Sequence, residues 1–543
     1  MSVLAVAYAT GAALVFLLAL LPVEISIRHF LYEDFFYYLK IAQNIAEGRG
    51  ATLDGFSTTN GFHPLWMLLC VVVRLVFDGT TAVHAVLLLA ACLHLLQVYL
   101  VYRIVDLDCG GVWAHAVALF YLVNYRIIAC NLCGMETPLA ASLFLLLVYL
   151  MLSCRTLGVL RVVGFGVLMG IASLARLDLL LFCCVVIVWI LVRPAGGASP
   201  IRRTANATIA AVVWLLTLFP WFLWSYATSQ ALLPNSRVAL RLMAGFGLDL
   251  HASPGEMLSQ VAGKVSSAAL WLPDTANLLG LWPTVLPGLA PVASSLVVTA
   301  LLALAGFMLT NRAVVNRIPK LLLMLYACAH LAYYVFWARA EVRYLIPSCV
   351  VVILLVPSVL QYIWKRFDGF RTRVLVASLC ACVLVNSAVA GILAWHYQQG
   401  PSRWHSFHQD LCETARWMRR TLPEHANVGA WNAGILCYFS DRTVVNLDGV
   451  VNDDALAALR DRRLQEYIEQ RNIRFIADLR AEVNSFMIRF SGDHAWGRKY
   501  VTAFLHPRTR VVVLERRPSG MSASERRSHT APQPPHIHRG SAQ

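Results

Sequence analysis

The sequence predicts an α-helical polytopic membrane protein with about eleven spans and a small α/β domain at its carboxyl end. Of its 543 residues, 58% are hydrophobic and 14% are charged, whereas a soluble domain carries about a quarter charged residues. The apolar residues form runs of roughly 18–25, the length needed to cross about 30 Å of hydrocarbon. Beyond residue 400 the composition becomes polar, with alternating helix and strand patterns. A membrane-embedded part followed by an appended domain is therefore expected.

The predicted spans follow from the apolar runs. They are 3–23, 82–103, 111–131, 136–153, 159–175, 177–193, 205–228, 288–310, 320–338, 342–363 and 374–397. The first run has neither a basic start nor a small-residue cleavage site, so it predicts a retained span and not a signal peptide. The run 64–78 is short and contains Arg74, which favours a helix lying in the membrane interface.

The charges of the loops orient the chain. With the amino terminus in the cytoplasm, every predicted inside loop carries Arg or Lys, most strongly at 193–203, 312–320 and 365–373. The positive-inside rule then predicts a cytoplasmic amino terminus and an extracytoplasmic carboxyl-terminal domain, in an inner or plasma membrane. The same basic loops account for the net charge of +15, so this charge does not indicate a nucleic-acid partner.

Three regions are predicted along the chain. Residues 1–400 form the membrane domain, with a first outer loop at 24–80. Residues 401–517 form the outer α/β domain, and residues 518–543, rich in Ser, Pro, His and Arg, are expected to be disordered. Within the outer domain the patterns predict helices at 406–422 and 455–470, strands at 427–431, 443–447, 473–477 and 510–514, and a turn at 432–434.

The first outer loop contains the most informative stretch, EDFFYYLKIAQNIAEGRGATLDGFSTTNGFHPLW at 33–66. Apolar and aromatic residues recur at helical spacing from Phe35 to Ile45, which predicts an amphipathic interfacial helix with its aromatic rings at the headgroup level. Glu33 and Asp34 precede it. Two interpretations of this acidic pair remain open: charges favoured by the helix dipole, or a general base at the membrane surface.

The order of several motifs resembles that of GT-C glycosyltransferases, which use polyprenyl- or dolichyl-phosphate sugars. The motifs are the acidic pair with the aromatic helix, then EGRG and TNGFHPLW, CGMETPLAASLF at 133–144, ARLDLLLF at 175–182, LLPNSRVAL at 232–240 and RYLIP at 343–347. The stretch 427–452 resembles the soluble domain appended to many of these enzymes. The nearest groups are arabinofuranosyltransferases of the mycobacterial type and the protein-mannosyltransferase-like family.

The resemblance implies an inverting transfer of a sugar from a polyprenyl-phosphate carrier to an outer-face glycan, lipid or protein acceptor. A positioned carboxylate would take the proton of the acceptor hydroxyl as that oxygen attacks C1. The resemblance assigns this catalytic role to the acidic pair, with Asp34 favoured and Glu33 able to serve in its place.

The resemblance also implies substrate-binding residues, each with a structural alternative. Arg237 and Arg343 could bind the departing phosphate or extend to lipid headgroups, and His63 could contact substrate or cap a turn. Glu136 could hold sugar hydroxyls or serve as a helix-terminal carboxylate, whereas Arg176 favours a structural pair with Asp178. The binding set is completed by two residues of the TNGFHPLW and LLPNSRVAL motifs, Asn60 and Asn235.

The expected partners are membrane lipids, the lipid-linked donor and the acceptor. No phosphate-binding loop is found in the sequence, so the donor is expected to be lipid-linked and not a nucleotide sugar. Neither a metal nor a cofactor is implied, since arginine can stabilise a monophosphate leaving group. Two alternatives are a transporter, which favours broken polar helices near the midplane and internal repeats, and a non-catalytic component of glycan assembly.

Overall fold

The computed structural model describes residues 2–154, 156–193, 199–244, 253–264, 306, 317–336, 341–366, 369, 403–493, 495–508 and 510–517. The predicted spans 288–310 and 374–397 lie outside the described residues. So does the predicted tail at 518–543.

The membrane part is built from helices joined by short connections. They are α1 (Val3–Ala19), α2 (Val23–His29), α3 (Glu33–Ala46), α4 (Pro64–Val76), α5 (Gly79–Cys109), α6 (Gly111–Val123), α7 (Tyr125–Asn131), α8 (Thr137–Ser153), α9 (Val159–Ala175), α10 (Leu179–Val192), α11 (Pro200–Ser229), α12 (Ser236–Ala244), α13 (254–264), α14 (Arg317–Phe336) and α15 (Ile346–Arg366). A 3₁₀ helix, Val342–Leu345, leads directly into α15.

The described helices are consistent with a multi-pass membrane protein. Four segments are long and apolar enough to cross a membrane: α5, α11, α14 and Val342–Arg366. The number within the described residues rises to six if each bent pair, α1–α2 and α6–α7, is one span. The shorter apolar helices are α4, α8, α9 and α10. With 13 residues, α4 would cover only about 20 Å, so it is too short to cross the bilayer alone.

Two predicted spans are bent where the sequence pattern gave a continuous run. The helix predicted at 3–23 ends at Ala19, and α2 leaves at an angle of 106°. Pro22 disfavours helical conformation in the residue before it and then starts α2 as its N-cap. The span predicted at 111–131 bends by 60° at Asn124, whose side chain accepts a hydrogen bond from the backbone N–H of Ile127.

Helix α3 forms as predicted, and its aromatic residues are covered by protein. Phe35, Phe36, Tyr37 and Tyr38 are all buried. The ring of Phe36 packs 5.3 Å from that of Tyr438 in the carboxyl-terminal domain. These rings therefore pack against protein: sequence periodicity separates an apolar face from a polar one, but it does not show that another domain of the same protein covers α3.

The carboxyl-terminal domain contains a five-stranded sheet of order β2-β1-β3-β5-β4. Its strands are β1 (Asn427–Ala430), β2 (Thr443–Asn446), β3 (Phe475–Leu479), β4 (Tyr500–Leu505) and β5 (Val511–Arg516), and its helices are α16 (Arg403–Thr421), α17 (Ala433–Ser440), α18 (Asp453–Arg460), α19 (Leu464–Gln470) and α20 (Arg480–Phe490). The first three strands are parallel, and β5 runs antiparallel to both β3 and β4.

Local patterns placed most of these elements but misassigned some. The predicted turn at 432–434 is the start of α17. The single helix predicted at 455–470 is two helices, separated where Arg462 adopts a left-handed backbone conformation. Strand β4 and helix α20 were not predicted.

The carboxyl-terminal domain packs directly on the first loop. One hydrophobic core runs from the membrane helices through α3 into the sheet, where it includes Val428 and Val513. Gly61 lies so close to the carbonyl oxygen of Val450 that a Cβ would overlap it. The backbone N–H of Asp453 donates to the carbonyl oxygen of Thr58 at 3.3 Å. These contacts fix the domain over the start of α3.

Candidate functional site

The candidate site begins at the first turn of α3, where Asp34 is held in place but accessible. Its side chain is 44% exposed, and its Oδ2 lies 3.2 Å from a guanidinium nitrogen of Arg343. Arg343 is only 1% exposed and also donates from Nε to Glu341 at 2.8 Å. Its guanidinium lies 4.7 Å from the ring centroid of Tyr32. A buried arginine therefore fixes the position of an accessible carboxylate.

Glu33, the other member of the acidic pair, has a different environment. It is buried, and its Oε1 accepts a hydrogen bond from the backbone N–H of Gly434 at the start of α17. Burial, followed by the neighbouring charge of Asp34, raises the pKa of Glu33 well above its ordinary value. The structure therefore separates the pair: Glu33 joins α3 to the carboxyl-terminal domain, and Asp34 is the carboxylate open to a reactant.

Asp34 opens into a cavity of about 1040 Å³. Residues from both parts of the protein line it: Tyr32, Glu33, Asp34 and His63 of the first loop, residues of the α9–α10 connection, of α12 and of α14, and Trp431, Asn432, Asp448, Val450, Glu482 and Phe486 of the carboxyl-terminal domain. A volume of this size is at the upper end for small-molecule sites. It is large enough for two reactants to meet beside Asp34.

One part of the cavity wall is basic and apolar. Arg237 and Arg241 of α12 both line it together with Leu240, because residues three and four apart share one face of a helix. Both arginines are exposed, and neither forms an ion pair with a carboxylate in the described part of the chain. Two cations without counter-charges beside an apolar wall suit a ligand with a phosphate and a hydrocarbon chain.

The carboxyl-terminal domain contributes acidic, polar and aromatic side chains to the cavity, in contrast to the basic wall at α12. Trp431 and Asn432 follow β1, Asp448 lies just beyond β2, and Glu482 lies in α20 just after β3. Since these strands are parallel, their carboxyl ends meet at one edge of the sheet, the usual position for ligands in such sheets. Burial raises the pKa of Asp448 to about 7, with contributions from the charges of Asp34 and Asp478.

Among the predicted binding residues, His63 lines the cavity and Glu136 lies behind it. The Nε2 of His63 is 3.8 Å from Oε1 of Glu136, which is 1% exposed. Burial lowers the pKa of His63, although the charge of Glu136 opposes this shift. In the described residues, neither Nδ1 of His63 nor Oε2 of Glu136 has a hydrogen-bond partner. Glu136 does not line the cavity itself but lies beside His63, which does.

The two predicted asparagines hold the backbone together and do not line the cavity. Asn60 Oδ1 accepts from the backbone N–H of Asn235 at 2.8 Å. Asn60 also donates from Nδ2 to Ser225 at 2.8 Å. Their position joins the first loop to the turn that precedes α12. Both asparagines therefore set the position of Arg237 from outside the cavity.

Arg176 lies in a buried polar cluster at the cavity wall. Its guanidinium lies 2.6 Å from Asp178 Oδ2 and donates to the hydroxyl of Tyr334 at 3.0 Å. His330 Nε2 also lies 3.1 Å from Asp178. The pair between Arg176 and Asp178 is thus present, as the sequence favoured, and it is shared with α14.

Sequence reasoning missed the cavity residues of the carboxyl-terminal domain, together with Arg241. Arg241 could have been found from its spacing of four from Arg237 on one helix. Asn432 and Asp448 lie within the motif at 427–452, but their patterns did not indicate which end of the sheet faces the membrane part. His330 and Tyr334 carried no local signal because each is a single polar residue in an apolar helix.

Comparisons with known proteins agree with this architecture. Residues 395–523 match the model of a domain of unknown function, DUF8728. No curated protein matches the sequence. The structure resembles that of ArnT from Cupriavidus metallidurans bound to undecaprenyl phosphate, with 14% identity, 94% of this chain and 98% of that chain covered, and a TM-score of 0.57.

A second similar structure is the archaeal oligosaccharyltransferase AglB from Archaeoglobus fulgidus, in complex with an inhibitory peptide and a dolichol-phosphate. The identity is 12%, the alignment covers 95% of this chain and 75% of that chain, and the TM-score is 0.54. Both neighbours are GT-C glycosyltransferases. The fold of this chain is therefore the GT-C fold, as the sequence motifs predicted.

Proposed function

We propose that this protein is an inverting glycosyltransferase that moves a sugar from a polyprenyl phosphate to an acceptor hydroxyl on the outer face of the membrane. The observation that carries the proposal is Asp34, an accessible carboxylate held by buried Arg343. It opens into one cavity that Arg237 and Arg241 also line. A base and a phosphate-binding pair in the same cavity are the two parts that this reaction needs.

The residues of the site account for the proton, the broken bond and the leaving charge of this reaction. The acceptor oxygen attacks C1 of the sugar while Asp34 takes the hydroxyl proton. The bond between C1 and the phosphate oxygen breaks, and the phosphate leaves with the electron pair. Since the nucleophile enters opposite the leaving group, the configuration at C1 inverts. Arg237 and Arg241 stabilise the charge that develops on the phosphate, so no further base or electrophile is required.

The lipid part of the donor would lie along the apolar surface beside α12. Leu233, Leu240 and Met243 line the cavity next to the two arginines, and Leu232 is exposed beside them. A polyprenyl chain can lie on such a surface with its phosphate at the arginines. The similar structure of ArnT is one bound to undecaprenyl phosphate, which supports a donor of this class.

The sidedness of the proposal rests on the loop charges. The basic connections at 193–203, 312–320 and 365–373 favour the cytoplasmic side. The carboxyl-terminal domain and the cavity then face the other side of an inner or plasma membrane. Accessibility of single cysteines to a membrane-impermeant thiol reagent, introduced at exposed positions of α18 and of the 199–203 segment in a background without accessible cysteines, tests this placement.

The test of function is transfer by the purified full-length protein in liposomes. Radiolabelled pentoses and hexoses linked to polyprenyl phosphate serve as donors, with a crude envelope extract as the acceptor. Asp34→Asn should lower the transfer rate by about 10²–10⁴, the usual contribution of a general base. Glu47→Gln is the matched control: this exposed carboxylate at the carboxyl end of α3 should leave the rate unchanged.

The outcomes separate the alternatives. Unchanged transfer by Asp34→Asn would reject the assignment of the base while leaving a glycosyltransferase. Donor binding without bond cleavage by the wild-type protein, across all donors, would favour a non-catalytic assembly component. Uptake of an unmodified solute into the liposomes without any transfer would favour a transporter.

A further inference from the structure

The end of the cavity formed by the carboxyl-terminal domain has its own recognition chemistry. Trp431, Asn432, Asp448 and Glu482 converge there from the carboxyl ends of three parallel strands. None of the arginines that would bind a phosphate belongs to this domain. The two ends of the cavity therefore present opposite charges to whatever binds between them.

The aromatic part of this end is a stacked pair. The ring centroids of Trp431 and Phe486 lie 5.4 Å apart with an interplanar angle of 13°. Trp431 is 2% exposed and lines the cavity, yet its indole N–H has no hydrogen-bond partner among the described residues. A buried donor without a partner is costly, and it is satisfied when a ligand brings an acceptor atom.

The polar groups beside the aromatic pair are held in fixed positions. Asp478 accepts from the backbone N–H groups of Trp431 and Asn432 at 2.9 and 2.8 Å. The side-chain amide of Asn432 donates to Glu482 at 2.7 Å. Asp448 accepts from the backbone N–H of Val450 at 2.7 Å. Glu482 and Asp448 both line the cavity, and a carboxylate has lone pairs enough to accept from a ligand in addition to these partners.

We propose that Trp431, Asn432, Asp448 and Glu482 form an acceptor subsite and that the acceptor is a carbohydrate. The inference rests on the proposed function and names the acceptor class that it leaves open. A sugar ring offers C–H groups to an aromatic face and several hydroxyls to carboxylate and amide oxygens. The hydroxyl to be glycosylated then lies near Asp34, which is close enough to Asp448 to perturb its ionisation.

Two other acceptor classes fit this end of the cavity less well. An anionic lipid headgroup would meet the carboxylates of Asp448 and Glu482, and like charges repel. A peptide commonly binds by adding a strand to a sheet edge, but no strand residue of the described sheet lines the cavity. Hydroxyl-rich, uncharged ligands remain the best match.

The experiment measures transfer kinetics with separated acceptor classes. The wild-type protein in liposomes is given a saturating polyprenyl-phosphate sugar and one of three acceptors: p-nitrophenyl glycosides of hexoses and pentoses, a Ser/Thr-rich peptide, or phosphatidylglycerol vesicles. Transfer to at least one glycoside is expected. Trp431→Phe keeps an aromatic ring but removes the N–H, and Glu482→Gln removes the charge. Each should raise the KM for the glycoside about tenfold, with kcat and the donor KM little changed.

A matched control is Glu466→Gln, an exposed carboxylate of the same domain, which should leave all three constants unchanged. Glycoside binding without donor is also measured by isothermal titration, so the subsite is tested even if no transfer occurs. Wild-type acceptor KM and binding in both Trp431→Phe and Glu482→Gln would overturn the inference, as would exclusive transfer to the peptide or the vesicles. Glycoside binding that depends on Trp431, with no donor cleavage, would instead reject the proposed function alone.

Discussion

The hydroxyl of Tyr37 joins the membrane part to the carboxyl-terminal domain, and its removal is the most direct test of this contact. Tyr37 is buried in α3. Its hydroxyl donates to the carbonyl oxygen of Trp431 at 3.0 Å and accepts from the backbone N–H of Ala433, also at 3.0 Å. The side-chain amide of Asn446 also donates to the hydroxyl oxygen of Tyr37, at 3.2 Å. One hydroxyl oxygen therefore satisfies three polar groups in two segments of the domain.

The substitution Tyr37→Phe deletes this atom and retains the ring. The N–H of Ala433 is then left in the interior without a partner, and Asn446 keeps its contact at 3.3 Å with the Trp431 carbonyl oxygen. An unsatisfied buried polar group costs about 1–3 kcal/mol. With the weakened bonds of Trp431 and Asn446 included, we expect a loss of about 2–4 kcal/mol in the free energy that holds the domain on α3.

The assay is thermal unfolding of the purified protein in one detergent, followed by tryptophan fluorescence and by the rate of proteolysis within residues 403–517. The variant should unfold several degrees lower and be cleaved faster, with its membrane helices intact. Tyr226→Phe is the control, since the side chain of Tyr226 is exposed. Equal unfolding midpoints and cleavage rates for Tyr37→Phe and the wild-type protein would show that this hydroxyl does not anchor the domain.

Two further predictions concern the same interface and the cavity. Gly61→Ala should separate the first loop from Val450, lower the unfolding midpoint more than Gly497→Ala, and speed cleavage of the domain, because only the Gly497 site has room for a Cβ. Asp448→Asn should be more stable than the wild type at pH 8, on the order of 2 kcal/mol, and similar to it near pH 4. A pKa raised from 3.8 to about 7 means that stability is full at low pH and is lost as pH rises towards 7. An advantage that is equal at both pH values would contradict the buried charge.

Much of the fold follows from local patterns of the sequence. Hydropathy placed α8, α9 and α10 within two residues of their observed bounds and α5 and α11 within six, because a span must satisfy its backbone internally and must be apolar over its whole length. The same reasoning found the helix at Glu33 and four of the five strands, β1, β2, β3 and β5, to within one or two residues. It failed at Pro22 and Asn124, where a break in direction leaves the hydropathy of the run unchanged.

The candidate site, like the fold, has residues that local sequence signals could identify and roles that only the tertiary structure shows. Glu33 and Asp34 could be singled out from the sequence because an acidic pair at the start of an apolar helix is a local signal. Nothing local distinguishes their roles, since burial against Gly434, more than 400 residues away, removes Glu33 from solvent and leaves Asp34 open. Arg343 is likewise distant from Asp34 in the sequence, and only the structure shows that it pairs with Asp34 and does not line the cavity.

By itself the sequence determined that the chain is apolar enough to enter a membrane, where most of its apolar helices lie, and that an α/β domain follows them. Only the tertiary structure decided that the carboxyl ends of β1, β2 and β3 face Asp34 across one cavity. Hydropathy and periodicity are properties of neighbouring residues. The approach of distant residues depends instead on how whole surfaces pack, and single positions in the sequence do not record it.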